Sequence, residues 1–150
     1  MLEIREYHSL KEMENDFSLE TLINFLHTHL DRFGDSKEAI KKCVNYAFSG
    51  KEGNGGFVAG GFIEKELVGA VVMNETGMGG YIPENILVYI AVNSNFRNQG
   101  IGGKLVKHVV EKSSGDVKLH VEYDNPAKKL YERLGFTNKY AEMRFIKEKK

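Results

Sequence analysis

Hydrophobic positions change period several times along the chain, and each change predicts an element. Leu19, Leu22, Ile23, Leu26 and Leu30 recur at i, i+3, i+4, i+7 and i+11, which lines one face of an α-helix. Asp16 or Ser18 offers its side-chain cap. Ile40, Cys43, Val44 and Ala47 form a second helical stripe, with Gly34-Asp35 before it and Gly50 after it. Cys43 lies on that stripe, which predicts a packed thiol rather than a nucleophile. Ahead of both helices, Leu2–Tyr7 reads as a short strand.

Beyond a glycine-rich loop at 50–56 the period shortens. Phe57–Ile63 and Leu67–Met73 are apolar runs separated by Glu64, Lys65 and Glu66, a hairpin with a polar turn. A second glycine-rich loop, Thr76–Gly80 with Pro83 near its end, leads into Ile86–Val92. That run has buried-strand length and is rich in β-branched residues. Helical spacing returns at Ile101, Leu105, His108 and Val109 and ends near Ser113–Gly115. Val117, Leu119 and Val121 then alternate as a strand. Asn125-Pro126 opens a short helix, since asparagine is a favoured cap and proline a favoured first residue. Its face is Ala127, Leu130, Tyr131 and Leu134, and Gly135 stops it. The stretch Phe136–Ile146 reads as extended. The order is strand, helix, helix, hairpin, strand, helix, strand, helix, strand. It predicts one domain over residues 1–150, a mixed α/β or α+β sheet with helices on both faces.

Composition narrows the class. With 150 residues, 41% hydrophobic and 28% charged, the chain is an ordinary globular domain without repeats or low-complexity tracts. Its one cysteine excludes an internal disulfide. Glu3, Arg5 and Glu6 interrupt any apolar leader. No apolar run approaches the roughly 20 residues that span a bilayer. The expectation is a cytoplasmic protein with no membrane partner. A net charge of zero argues against nucleic acid. The charge is unevenly spread: residues 1–100 carry a net −5 and residues 101–150 a net +5. The cationic third suits an anionic ligand, or is simply solvated surface.

The candidate chemistry gathers at RNQGIGGK, residues 97–104, which follows the buried-strand run and opens a helical pattern. The start of a helix presents unpaired N–H groups and partial positive charge, which suits phosphate. Glycine there lets a ligand approach the backbone. Two familiar phosphate loops fail. A dinucleotide fingerprint beginning at Gly100 and Gly102 needs glycine at 105, where leucine stands. A Walker loop needs Ser or Thr after Gly-Lys, but Leu105 follows Gly103-Lys104 and Glu52 follows Gly50-Lys51. A hydride-transfer enzyme and an ATPase are thereby disfavoured.

What matches is Q/R-x-x-G-x-G/A, at Arg97, Gly100 and Gly102. This resembles the pyrophosphate-binding signature of the GNAT superfamily of acyl-CoA-dependent N-acetyltransferases. The stretch ILVYIAVNSNFRNQGIGGKLV looks like that family's fourth strand, turn and third helix. HVEYDNPAKKLYERLGF looks like its fifth strand and fourth helix, with Asn125, Ala127, Tyr131, Gly135 and Phe136 in the expected places. Val68-Gly69 in the hairpin also fits. The resemblance spans about Leu2–Ile146 and is strongest over 86–136. It implies a GNAT fold: a central mixed, mostly antiparallel sheet of six to seven strands, helices on both faces, and fourth and fifth strands splayed around acetyl-CoA.

The resemblance also assigns roles. The edge at Ile90, Ala91 and Val92 takes the pantetheine arm, as a strand edge takes a peptide, and a backbone N–H there polarises the thioester carbonyl. The turn Arg97, Asn98, Gln99, Gly100, Ile101, Gly102 and Gly103 binds the cosubstrate, with the N–H groups of Gln99 through Gly103 facing the pyrophosphate. Asn125 hydrogen-bonds the pantetheine, or serves only as the helix cap. Lys104, Lys128 and Lys129 meet the phosphates, or are solvated surface. Tyr131 meets the cosubstrate and protonates the departing thiolate, or is a core ring. The base stays open among Glu84, His120, Glu122 and water. The glutamate that some members carry on the fourth strand is missing from Ile86, Leu87, Val88 and Tyr89. His120 and Glu122 alternate with the apolar side of their strand and so point away from it. His27 and His29 diverge on a helix, so no metal is expected.

The implied activity is transfer of an acetyl group from acetyl-CoA to a primary amine of a small molecule by direct attack in a ternary complex. The alternatives are a protein N-terminal or lysine acetyltransferase and a non-catalytic acyl-CoA-binding module. Phe25–Phe33 and Met78–Tyr81 are expected to shape the amine pocket, and the exposable edge of the tail suggests a homodimer.

Overall fold

A computed structural model describes residues 1–50 and 55–148, so most of the loop expected at 50–56 lies outside the described residues. The chain forms two compact units, Met1–Leu119 and His120–Lys150.

In the first unit the strands are β1 (Glu3–Tyr7), β2 (Gly55–Ile63), β3 (Glu66–Glu75), β4 (Asn85–Val92) and β5 (Val117–Lys118). They lie side by side in chain order. The pairs are antiparallel except β4 with β5, which is parallel. The helices are α1 (Leu10–Met13), α2 (Leu19–Leu30), α3 (Lys37–Ala47) and α4 (Ile101–Lys112). Single 3-10 turns stand at Asp31–Phe33 and Ser94–Phe96. Among the described residues no helix is long and apolar enough to cross a membrane.

Local chemistry explains the boundaries. Ser18, not Asp16, caps α2, its side chain accepting the Thr21 N–H. Asp16 instead accepts the Tyr7 hydroxyl at 2.6 Å and pairs with Arg5 at 3.0 Å. Ser9 caps α1, a single turn too short to show a hydrophobic period. Glu64 and Lys65 both take positive φ, 49° and 69°, so β2 and β3 are joined by a two-residue turn of the kind whose twist suits a hairpin.

The two faces of the sheet hold separate layers. Leu22, Leu26, Ile40 and Val44 are fully buried and pack with Val58, Ala70, Val72, Tyr89 and Ala91. The other face receives α4. A Cβ at Gly69 would stand 2.6 Å from Leu105 Cδ1 and 3.4 Å from Ile101 Cγ2, and Gly69 alternates with Ala70, so its side faces away from α2 and α3. Leu105, Val106 and Val109 are buried there. Burying one such side chain contributes about 1.5–3 kcal/mol.

The expected mixed, mostly antiparallel sheet with helices on both faces is present, but the count of six to seven strands is not. Five strands form among the described residues. The strand expected across Val117–Val121 stops at Lys118, and His120 and Glu122 lie in exposed irregular backbone rather than on a strand. β4 is also kinked: Val72 opposes Tyr89 and Met73 opposes Leu87, so Val88 is an extra, bulged residue.

The second unit holds α5, Ala127–Arg133. Pro126 rather than Asn125 stands at its N-cap position, yet the Asn125 side chain still accepts the Ala127 N–H at 2.9 Å. Gly135, at φ 104°, ends the helix as expected. The tail Phe136–Ile146 forms no strand among the described residues, and Tyr140, Met143, Phe145 and Ile146 are exposed. Extended, partly apolar sequence becomes a strand only where a neighbour completes its hydrogen-bond ladder.

Candidate active site

β4 supplies the first wall of the site. Along one edge it pairs with β3 as far as Gly69 and Val92. Along the other it pairs with β5 only at Asn85 and Ile86. From Leu87 onward that edge carries no ladder partner among the described residues, so alternate backbone N–H and C=O groups stay available. Ile90 and Val92 are half-buried on this stretch, and Ala91 is buried toward α2 and α3.

The chain then turns sharply. Asn93 donates its N–H to Val68 O at 2.8 Å, and its side chain accepts the Asn95 N–H. Asn98 and Gly100 both adopt left-handed backbone, φ 65° and 79°, with Gln99 between them. Gly100 is the N-cap of α4 and provides no capping side chain. The first helical bond runs from Lys104 N–H to Gly100 O at 3.1 Å. The N–H groups of Ile101, Gly102 and Gly103 therefore have no partner within the helix, and they point with the positive end of its dipole. Ile101 puts its side chain into the core, 4% exposed, and leaves only its backbone for a ligand. Such a set of free N–H groups can receive an anion.

The charged members of the turn are placed less simply. Arg97 donates from Nη2 to His29 O at 2.8 Å and from Nε to Val92 O at 3.4 Å. Asn98 and Gln99 are exposed. Lys104 lines an open groove of about 410 Å³ with Met1, Leu2, Ile4 and the α4 residues Lys107, His108 and Glu111.

In the second unit, Lys128 pairs with Glu132 at 3.4 Å, and Lys129 is exposed. Tyr131 is buried, 7% exposed, with its ring edge-on to Phe136 at 5.8 Å. Burial pushes its phenol up to about 12. Its hydroxyl makes no hydrogen bond among the described residues. The phenol is neutral at pH 7.

Of the candidate bases, Glu84 is committed elsewhere. Its Oε1 accepts the Asp116 N–H at 2.9 Å, and that bond, with one to its own backbone, holds its carboxyl below the ordinary value. Cys43 is buried, with its thiol pushed up to about 12 by burial, as expected of a packed thiol. Among the described residues no three His, Cys, Asp or Glu side chains stand together to hold a metal.

Two contacts of the surroundings carried no sequence signal. His29 accepts the Ser94 N–H on Nδ1 at 3.3 Å, and Asp35 accepts the Tyr89 hydroxyl at 2.6 Å. Both are contacts between segments more than fifty residues apart, which no local spacing encodes.

No curated protein matches the sequence. Solved structures match across nearly the whole chain. An aminoglycoside acetyltransferase from an uncultured soil metagenomic sample, in complex with trehalose, is 20% identical with a TM-score of 0.63, over 99% of this chain and 97% of that one. An aminoglycoside N-acetyltransferase in complex with CoA is 15% identical with a TM-score of 0.70, over 98% and 95%. A ribosomal-protein-alanine N-acetyltransferase from Brucella melitensis biovar Abortus 2308 is 16% identical with a TM-score of 0.64, over 97% and 99%. At these identities the likeness concerns the fold. The family model for the acetyltransferase (GNAT) domain matches residues 54–138, more than half of the chain, and with the open β4 edge leading into an uncapped glycine turn, the chain belongs to the GNAT acetyltransferases.

Proposed function

We propose that this protein is an N-acetyltransferase acting over residues 1–150 as one domain, which moves an acetyl group from acetyl-CoA to a primary amine of a small molecule by direct attack in a ternary complex. The observation that carries this reading is the continuity of two backbone features. The unpaired β4 edge from Leu87 to Val92 runs through the turn at 97–100 into the uncapped N-terminus of α4. The first suits the amides of a pantetheine arm, and the second suits a pyrophosphate.

Acetyl-CoA supplies the activated acyl group as a thioester. The chain's own residues do the rest. The N–H groups of Gln99 through Gly103 hold the pyrophosphate. Backbone groups near Ile90 and Val92 align the arm and polarise the carbonyl. Tyr131 keeps its proton through neutral pH and gives it to the leaving sulfur. Asn125 and Lys128 assist in binding. With Glu84 engaged by Asp116, the amine proton goes to water, His120 or Glu122. Two of the similar structures are aminoglycoside acetyltransferases, which supports a small-molecule amine as acceptor. A cytoplasmic location and a homodimer through the exposed tail belong to the same reading.

The test is a panel of amines incubated with acetyl-CoA, read by release of free thiol. Turnover of small amines supports the proposal. Turnover only of peptide N-termini or lysines moves the acceptor to a protein, and binding without turnover leaves a non-catalytic module. Calorimetry with acetyl-CoA is expected to give a micromolar to sub-millimolar Kd, about −8 to −5 kcal/mol. Gly102→Glu, which sets a side chain and a like charge among those N–H groups, is expected to abolish it.

A further inference from the structure

Arg97 stands at the first position of the turn motif, and two carbonyls already engage its guanidinium. One belongs to His29, in the last turn of α2, where carbonyls lack helical partners and the dipole is negative. The other belongs to Val92, the last residue of β4. One cation thus joins a helix end to a strand end. A second bond runs beside it, from Ser94 N–H to Nδ1 of His29 at 3.3 Å. That bond requires Nδ1 to be free of a proton, and burial and the Arg97 charge hold the His29 pKa below its ordinary value. A few residues on, Tyr89 of β4 donates to Asp35 at 2.6 Å. The connection between α2 and α3, residues 31–36, is therefore fastened to the β4 region on both sides.

We infer that Arg97 is a positioning residue, which couples occupancy of the phosphate turn to the order of the C-terminal end of α2 and the 31–36 connection, and is not itself a ligand of the anion. The inference rests on the acyl-CoA reading of the turn. An anion held by the backbone N–H groups of α4 restrains residues 97–100. The guanidinium passes that restraint to His29, and binding at the turn then lowers the cost of ordering α2 and its connection. Lysine replaces it only in part, because a point ammonium lacks the planar fork that reaches two carbonyls at once.

The test uses the full chain with CoA as the probe, in wild type and Arg97→Met, by calorimetry and amide hydrogen exchange over residues 27–36. In wild type, CoA is expected to slow exchange there at least about threefold. In Arg97→Met, exchange without CoA rises, CoA still binds with a Kd within about threefold of wild type, and it no longer slows exchange over 27–36. Arg97→Lys restores the slowing only in part. A tenfold or greater loss of CoA affinity in Arg97→Met, with exchange over 27–36 unchanged, would overturn the inference and make Arg97 a direct ligand. Equal slowing by CoA in both proteins would overturn it as well. Absence of CoA binding in wild type would instead remove the acyl-CoA reading, and the coupling with it, before any variant is compared.

Discussion

The carboxylate of Glu84 accepts the backbone N–H of Asp116 at 2.9 Å. Next to it, Asn85 is buried and donates from Nδ2 to Ser114 O at 2.8 Å, while its own N–H donates to Asp116 O at 3.0 Å. The start of β4 thus holds the α4–β5 connection. Gly115 takes φ 94° there, with the Glu84 carboxyl against it. Glu84 thus fastens the β4–β5 pair.

Glu84→Gln is therefore expected to keep kcat within about threefold while lowering Tm. The pH dependence has a definite sign. A carboxyl whose folded pKa lies below its ordinary 4.5 contributes stability that is fully present above that value and lost as pH falls through the folded one. Thermal melts of wild type below pH 4.5 should lose more Tm than those of the glutamine variant. An unchanged difference in Tm between pH 7 and pH 3 would refute the role.

Tyr131→Phe removes a hydroxyl that makes no hydrogen bond among the described residues, so the ring's packing against Phe136 survives and CoA affinity should stay within about threefold. The kcat should fall by a factor on the order of 10²–10⁴, typical of a lost acid catalyst. Because burial holds the phenol near 12, the proton stays on across neutral and mildly alkaline pH. The kcat profile should show no alkaline fall assignable to Tyr131 at the ordinary phenol value of about 10. Loss of less than threefold in kcat would make Tyr131 a core ring.

Gly100→Val tests the turn without crowding it. A Cβ there meets nothing within 4 Å, so space is not the obstacle. Gly100 takes φ 79°, and a left-handed conformation costs an L-residue roughly 1–2 kcal/mol, more when it is β-branched. Denaturant titration should register about that loss, and calorimetry should show CoA binding weakened at least tenfold as the free N–H groups of α4 lose alignment.

Leu105→Ala removes a fully buried side chain between α4 and the glycine of β3. A loss of about 3 kcal/mol in unfolding free energy is expected, within the range for buried leucine. A loss below about 1 kcal/mol would mean that α4 is not packed on the sheet at Gly69.

Cys43 should be inert in the folded protein. Burial pushes its thiol up to about 12, and the thiolate is the reactive form. Thiol titration should find it only after unfolding, and Cys43→Ser should leave turnover within about twofold.

Periodicity alone located α2, α3, α4, the β2–β3 hairpin and β4, because each buries one face and its apolar spacing records which face that is. The same spacing placed Cys43 in the core, and the glycine motif marked the turn ahead of α4, where Gly100 takes a left-handed φ. The two missing strands share one cause. Whether Val117–Val121 and Phe136–Ile146 become strands depends on a hydrogen-bonding neighbour, which is a property of the folded arrangement and not of the segment. α1 is one turn, too short to show a period. The committed Glu84 carboxylate, the Tyr89–Asp35 bond and the Arg97–His29 tie are polar contacts between segments 32, 54 and 68 residues apart. The sequence by itself determined α2 to α5, the hairpin and the glycine turn ahead of α4. Only the tertiary structure decided what Arg97 and Glu84 hold, because a charged side chain's partner is chosen by the fold that surrounds it.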